Sequence, residues 1–198
     1  MSAAAPLKIG TRASLLALAQ THEARDRLAA AVPELGDPAA LEIVEIATTG
    51  DAVQDRPLAE VGGKGLFAKE LDAALLDGRI DLAVHSLKDL ETALPDGTVL
   101  AACLEREDPR DALIAPKARS LDELPPGAVV GTASLRRQAQ LLERRPDVRV
   151  TLLRGNIQTR LRRIAEGAAD ATFLALAGLN RMGAAGDPLA VVDDQLRV

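Results

Sequence analysis

Apolar positions along the chain switch repeatedly between the unbroken or alternating runs of strands and the three-and-four spacing of helices. "LKIG" precedes "SLLALAQTHEARDRLAAAV", a helical pattern opened by Ser14 as N-cap and closed before Pro33. "LEIVEIA" is the next predicted strand. After a polar loop, "KGLFAKELDAALLDG" places Phe67, Leu71, Ala74 and Leu75 on one helix face and stops at Gly78. "IDLAVHS" and "TVLAACL" read as strands, and "EREDPRDALIAP" brings a turn and a further strand. The same grammar resumes after Pro125-Pro126-Gly127: strand in "AVVGT", helix from Ser134 to Arg145, strand in "VRVTLL". "NIQTRLRRIAEGA" then sets Ile157, Leu161, Ile164 and Ala165 at helical spacing, and "DATFLALAGLNRMG" reads as strand into helix. Strands and helices alternating through short loops predict an α/β fold of mostly parallel sheets flanked by helices. No linker interrupts the pattern, so the expected division falls near "CLERED", giving α/β lobes at 1–103 and 104–198.

Composition narrows the class. The chain has 198 residues, 47% hydrophobic and 27% charged, with only 1% aromatic, which implies an aliphatic core. A single cysteine, Cys103, excludes an internal disulfide, and "MSAAAPLKIG" lacks the basic start and apolar run of a secretory signal. A cytoplasmic protein is expected, with no membrane span. The formal net charge of −5 argues against general nucleic-acid binding, and two Phe with no Trp or Tyr leave no stacking platform for single strands.

Against that acidic total, residues 130–164 carry nine arginines and only two acids, Glu143 and Asp147. In α/β sheets ligands collect at the carboxyl ends of strands, where loops lead into helix N-termini. The residues there are Thr11, Arg12 and Ser14, then His85, Ser86, Lys88 and Asp89. In the second half they are Thr132, Ser134, Arg136 and Arg137, followed by Arg154, Asn156 and Arg160. Hydroxyls, backbone N–H groups and arginine forks in these positions suit a ligand bearing several carboxylates. Asp89, the one carboxylate among them, suits stabilising a cation on the ligand or handling a proton. Lys64 lies on a glycine-rich loop, "VGGKGLF", but a phosphate loop requires Ser or Thr after the lysine, so nucleotide binding is rejected.

Plainer roles account for other residues. Arg144, Arg145, Arg149, Arg162 and Arg163 are expected to be solvated surface charges. Cys103, in an apolar run, is expected in the core. His22 and His85 are too sparse for a metal centre, so no metal is expected.

Taken together, "IGTRASLLALAQ", "TTGD", "VGGKGLFAKELDAALLDGRIDLAVHSLKD", "EREDPRDALIAP", "GTASLRRQAQL", "LRGNIQTRL" and "LALAGLNRMG" resemble, in order and spacing, the porphobilinogen deaminase (hydroxymethylbilane synthase) family of tetrapyrrole (heme and porphyrin) biosynthesis. The resemblance covers nearly the whole chain. It implies a transferase that joins four porphobilinogen molecules head to tail, releases ammonia, forms 1-hydroxymethylbilane, and builds the product on a dipyrromethane cofactor. Substrate and product are polycarboxylates, which gives the arginines a purpose.

By motif match, Asp89 in "HSLKD" corresponds to the catalytic aspartate. Cofactor binding falls to Lys88, Ser86, Thr132, Ser134, Arg136, Arg137, Arg154 and Arg160, and substrate binding to Arg12, Ser14, Lys64, Arg154 and Arg160. The implied fold is the two-lobed type II periplasmic-binding-protein architecture, monomeric, with the site between lobes. The family's cofactor cysteine belongs to a third domain, which has no counterpart in the matched segments. Cys103 lies in a different motif. The expectation is therefore two lobes without the third domain, the first incomplete at its C-terminal return, with a separate third-domain chain as candidate partner. Glu60 stands where many relatives have a basic residue and Glu91 where proline is usual, both lowering local positive potential. The rival expectation is a non-catalytic cytoplasmic binding module for a small polycarboxylate.

Overall fold

"LKIGTR" forms β1 (Leu7–Arg12), the middle strand of a three-stranded sheet with β2 (Leu41–Ile46) on one side and β3 (Leu82–Ala83) on the other. Both pairings are parallel. These coordinates come from a computed structural model that describes residues 5–52 and 65–183 and the backbone of 190–197. The chain divides into two units, Met1–Glu105 and Arg106–Val198, each with its own sheet.

In the first unit α1 (Leu15–Ala31) begins at Ser14, whose Oγ accepts the Ala17 N–H at 3.3 Å and satisfies an otherwise orphaned donor. A short α2 (Thr49–Ala52) follows β2, and α3 (Lys69–Leu76) precedes β3. Leu71 and Ala74 of α3 are buried with Ile9 of β1 and Ile80, as the helical spacing predicts. Each fully buried leucine or isoleucine contributes about 1.5–3 kcal/mol.

The second unit holds a five-stranded sheet of order β6-β5-β7-β4-β8. Its strands are β4 (Arg110–Ile114), β5 (Val129–Gly131), β6 (Arg149–Thr151), β7 (Ala171–Ala175) and β8 (Ala190–Arg197). Alternation sends Leu113 and Phe173 to one face, with Val130 and Leu141, and Ala112, Ile114 and Leu174 to the other. Helix α4 (Leu135–Arg144) supplies Leu141 to the first face. Helices α5 (Ile157–Ala165) and α6 (Leu176–Arg181) supply Ile164 and Leu179 to the second. Ile157 and Leu161 pack against that cluster from the same stripe of α5.

Four of the six described pairings are parallel, and β4 runs antiparallel to both β7 and β8. The fold is therefore α/β with mostly parallel sheets flanked by helices, as expected. "TVLAACL" is a correction: it forms no strand, and Val99 and Leu100 are 82% and 52% exposed. β-Branched composition measures fitness for a half-buried pleat and does not by itself supply a sheet edge to pair with. Cys103, expected in the core, is exposed for the same reason. Among the described residues no helix is long and apolar enough to cross a membrane.

Candidate functional site

Because β2, β1 and β3 are parallel, their carboxyl ends share one edge, and the residues that follow them meet there. Arg12 closes β1, Thr48 and Asp51 follow β2, and Ser86 to Asp89 follow β3 in a 3-10 turn over Leu87–Asp89. Arg12 donates to Asp51 through Nε at 2.9 Å and through Nη2, forming a two-pronged ion pair. Its Nη1 reaches Asp89 Oδ2 at 3.4 Å. The guanidinium also lies over the Phe67 ring, 4.2 Å from its centroid, a cation–π contact that fixes the plane of the fork. Lys88 Nζ donates to Asp89 Oδ1 at 3.1 Å from a side chain that is 61% exposed, whereas Asp89 is 17% exposed.

Burial pushes the Asp51 carboxyl up, but hydrogen bonds from Arg12 and Thr48 and the Arg12 charge outweigh it, so its pKa is lowered. Burial likewise pulls His85 down. Arg12 adds to that effect, and Asp72 and Asp89 do not overcome it, so the imidazole is neutral at pH 7. Ser86 Oγ donates to Gln20 Oε1 at 2.9 Å, tying the β3 loop to α1. Ser14 caps α1, as its sequence position predicts.

The second unit repeats the logic. Thr132 and Ser134 follow β5, and Arg154 and Asn156 follow β6, which is parallel to it. Thr132 Oγ1 accepts the Ser134 N–H at 3.1 Å, and Ser134 Oγ accepts the Arg137 N–H at 3.4 Å, capping α4. Asn156 caps α5 through the Thr159 N–H at 2.9 Å. Gly155 makes that turn possible: its φ is +113°, and a Cβ there would sit 2.7 Å from the Thr159 side chain.

Antiparallel β4 begins at the edge where parallel β7 ends, with Asp111 in register with Ala175. Asp111 is fully buried and accepts from Arg137 Nε at 2.9 Å, Arg137 Nη2 at 2.6 Å and Arg136 Nη2 at 3.0 Å. Arg137 also donates to the Phe173 carbonyl at 3.0 Å. Arg154 is 7% exposed. Arg160 donates to the Gly155 carbonyl at 2.8 Å, and burial, with the neighbouring Arg137 and Arg154 charges, lowers its pKa to about 10. Burial first, and the crowding of cations after it, disfavour the charge on Arg160.

The structure thus gathers Arg12, Ser86, Lys88 and Asp89 in the first unit and Thr132, Ser134, Arg136, Arg137, Arg154 and Arg160 in the second. Lys64 and Glu60 lie outside the described residues. Arg162 and Arg163 are exposed, as expected. Arg145 is a correction: its side chain is 13% exposed, paired with Asp147, and donates to the carbonyls of Leu121 and Leu124 at 2.6 and 2.9 Å. Sequence inspection did not single out Asp51 or Asp111. Looking after the second strand as after the others would have found Asp51. An acid set directly against an apolar strand, "RDALI", was the signal for Asp111.

The sequence matches the family described as porphobilinogen deaminase, dipyromethane cofactor binding domain, over residues 7–195. It is 58% identical to the chloroplastic porphobilinogen deaminase of Oryza sativa subsp. japonica over 192 residues, 96% of this chain and 54% of that one. Identity to porphobilinogen deaminase of Nitrobacter hamburgensis is 62% over 175 residues, 88% of this chain and 55% of that one. The chain spans about half the length of the curated relatives it matches. Among solved structures, a putative lipoprotein from Clostridium difficile has a TM-score of 0.53 at 14% identity, covering 99% of this chain and 82% of that one. A nutrient binding protein from Burkholderia cenocepacia, bound to methionine, has a TM-score of 0.50 at 14% identity, covering 95% and 79%. Those likenesses show the fold alone. On the sequence match across both units, the chain belongs to the porphobilinogen deaminase family, in its dipyrromethane cofactor-binding domain.

Proposed function

We propose that this chain takes part in tetrapyrrole biosynthesis by the head-to-tail condensation of four porphobilinogen molecules into 1-hydroxymethylbilane, with release of ammonia. The observation that carries the reading is Asp89: a largely covered carboxylate in "HSLKD", flanked by Arg12 and Lys88 at the carboxyl edge of a parallel sheet. Porphobilinogen carries two carboxylates and an aminomethyl group. Arg12 and Lys88 are suited to the former, and Asp89 to the ammonium and to the positive charge that develops as ammonia leaves. Because Lys88 is mostly solvated, its bond to Asp89 Oδ1 is readily exchanged for a ligand N–H. Ser14, Lys64, Arg154 and Arg160 join Arg12 in the proposed substrate set.

The chemistry of the second unit's donors fits a dipyrromethane cofactor. Arg136, Arg137, Arg154 and Arg160 would hold its carboxylates, with Thr132 and Ser134 beside them; the motif match also assigns Ser86 and Lys88 to the cofactor. The lowered pKa of Arg160 marks a place where added negative charge is welcome. When bound, the cofactor supplies the pyrrole onto which the first substrate is joined.

The test is to record the intact mass of the purified chain and incubate it with porphobilinogen while following ammonia release. Turnover that falls about 10²–10⁴-fold in Asp89→Asn, with binding weakened by no more than about tenfold, supports the reading. Reversible binding without ammonia release, insensitive to Asp89→Asn, would instead make the chain a polycarboxylate-binding module. A mass increment of two linked pyrroles would show covalent attachment in this chain.

A further inference from the structure

Asp51 has no part in the function proposed above, yet it makes a two-pronged contact with Arg12 at the first unit's site. Its carboxylate takes two of the five guanidinium N–H bonds of Arg12, from Nε and Nη2. It is held in turn by the Thr48 hydroxyl, which donates to Asp51 Oδ2 at 2.8 Å, and Thr48 is buried. With Phe67 against the ring face of the fork, Arg12 keeps a single orientation, and that orientation points Nη1 at Asp89. Asp51 takes two bonds, that from Nε at 2.9 Å, and Asp89 takes a single bond of 3.4 Å.

We propose that Asp51 is a positioning residue: it orients Arg12 toward Asp89 and absorbs most of the Arg12 charge, leaving the Asp89 carboxylate available to a cationic ligand group. The proposal rests on the reading of Asp89 as the group that meets the substrate ammonium. Without Asp51, Asp89 is the one carboxylate among the described residues that bonds Arg12. Arg12 would close on Asp89 end-on through Nη1 and Nη2, leaving its Nε–H free, and an arriving ammonium would have to displace it. His85 and Asp72 also face this region electrostatically, but neither bonds Arg12.

The test has two arms on the full chain. In the first, the Arg12 Nε–H is followed by ¹H–¹⁵N NMR without ligand. Its solvent exchange is expected to be at least about tenfold slower than that of exposed Arg163, to reach the Arg163 rate in Asp51→Asn, and to return in Asp51→Glu. Fast exchange in the parent chain, or no change in Asp51→Asn, would overturn the proposal whether or not any substrate binds.

In the second arm, porphobilinogen affinity is measured calorimetrically in a double-mutant cycle with Asp89→Asn. Asp51→Asn is expected to weaken binding about five- to tenfold when Asp89 is present and less than about twofold when it is not. Equal losses in both backgrounds would mean that Asp51 contacts the ligand itself or merely supports the fold, and would refute positioning through Arg12. Failure of the parent chain to bind porphobilinogen, with the Arg12 signature intact, would instead sink the functional reading and the ligand-directed half of this proposal. The Arg12–Asp51 hold would survive.

Discussion

Replacing Asp111 with alanine would leave two guanidiniums without the carboxylate around which they are built. Asp111 is inaccessible to solvent and receives three charge-assisted N–H bonds, two from Arg137 and one from Arg136. Arg137 is itself 9% exposed, so water cannot take over. Breaking a buried pair by removing one partner destabilises by about 3–5 kcal/mol, because the surviving charge remains desolvated. A domain is typically stable by only about 5–15 kcal/mol, so the variant should lose a large part of the second unit's stability. The assay is hydrogen exchange at the Val130 and Phe173 amides, both in core strands of that unit, together with urea denaturation. A paired change, Asp111→Leu with Arg137→Met, should recover at least about half of the loss, since a hydrophobic pair avoids both desolvation terms. A loss below about 1 kcal/mol in Asp111→Ala would refute the view that Asp111 organises this cluster.

Three further outcomes follow from named contacts. Gly131→Ala would place a Cβ 2.7 Å from Leu153 Cβ, so it should cost about 1–3 kcal/mol in denaturation midpoint and shift the adjacent Arg154 resonances. Asn156→Ala removes the α5 cap and should destabilise by about 0.5–2 kcal/mol, whereas Asn156→Asp should not. The lowered Asp51 pKa implies stability that is present above its ordinary value of 3.8 and lost as pH falls through the lower folded value. Asp51→Asn should remove that contribution from the acid-unfolding profile.

Much of the fold was legible because spacing and capping point the same way. Ile157, Leu161 and Ile164 lie on one stripe, and Ser14, Ser134 and Asn156 stand where caps belong. Strand carboxyl ends also proved informative, since parallel pairing delivers Arg12 and Asp89 to one edge. The direction of β4 was not legible, because nothing in "RDALI" distinguishes antiparallel from parallel pairing. That direction brings a residue at the start of a strand, Asp111, to the edge where the others end. Arg145 was misjudged for a related reason. Adjacent arginines look alike in sequence, and only the fold shows that one of them reaches the Leu121 and Leu124 carbonyls.

Arg160 separates stability from binding. Its folded pKa, about 10, lies below the ordinary 12.5, so folding disfavours the charged form. That penalty is fully present below the folded value and is relieved as pH rises through it. At neutral pH the difference corresponds to roughly 2–4 kcal/mol of unfavourable interaction. Removing the arginine also leaves the Gly155 carbonyl without its Nε–H bond, which costs about 1–3 kcal/mol. Arg160→Met, which keeps a similar apolar stem, should therefore match or exceed the parent chain by about 1 kcal/mol at pH 7 without ligand. With a polycarboxylate such as citrate added, the order should reverse, because the arginine then gains an anionic partner and the variant does not. The thermal midpoint of both proteins, measured with and without citrate, decides the matter. A variant that is less stable without ligand and equally stabilised with it would show that Arg160 serves the fold. The crossed result would show that this part of the second unit gives up folding free energy to keep a cation ready for an anion.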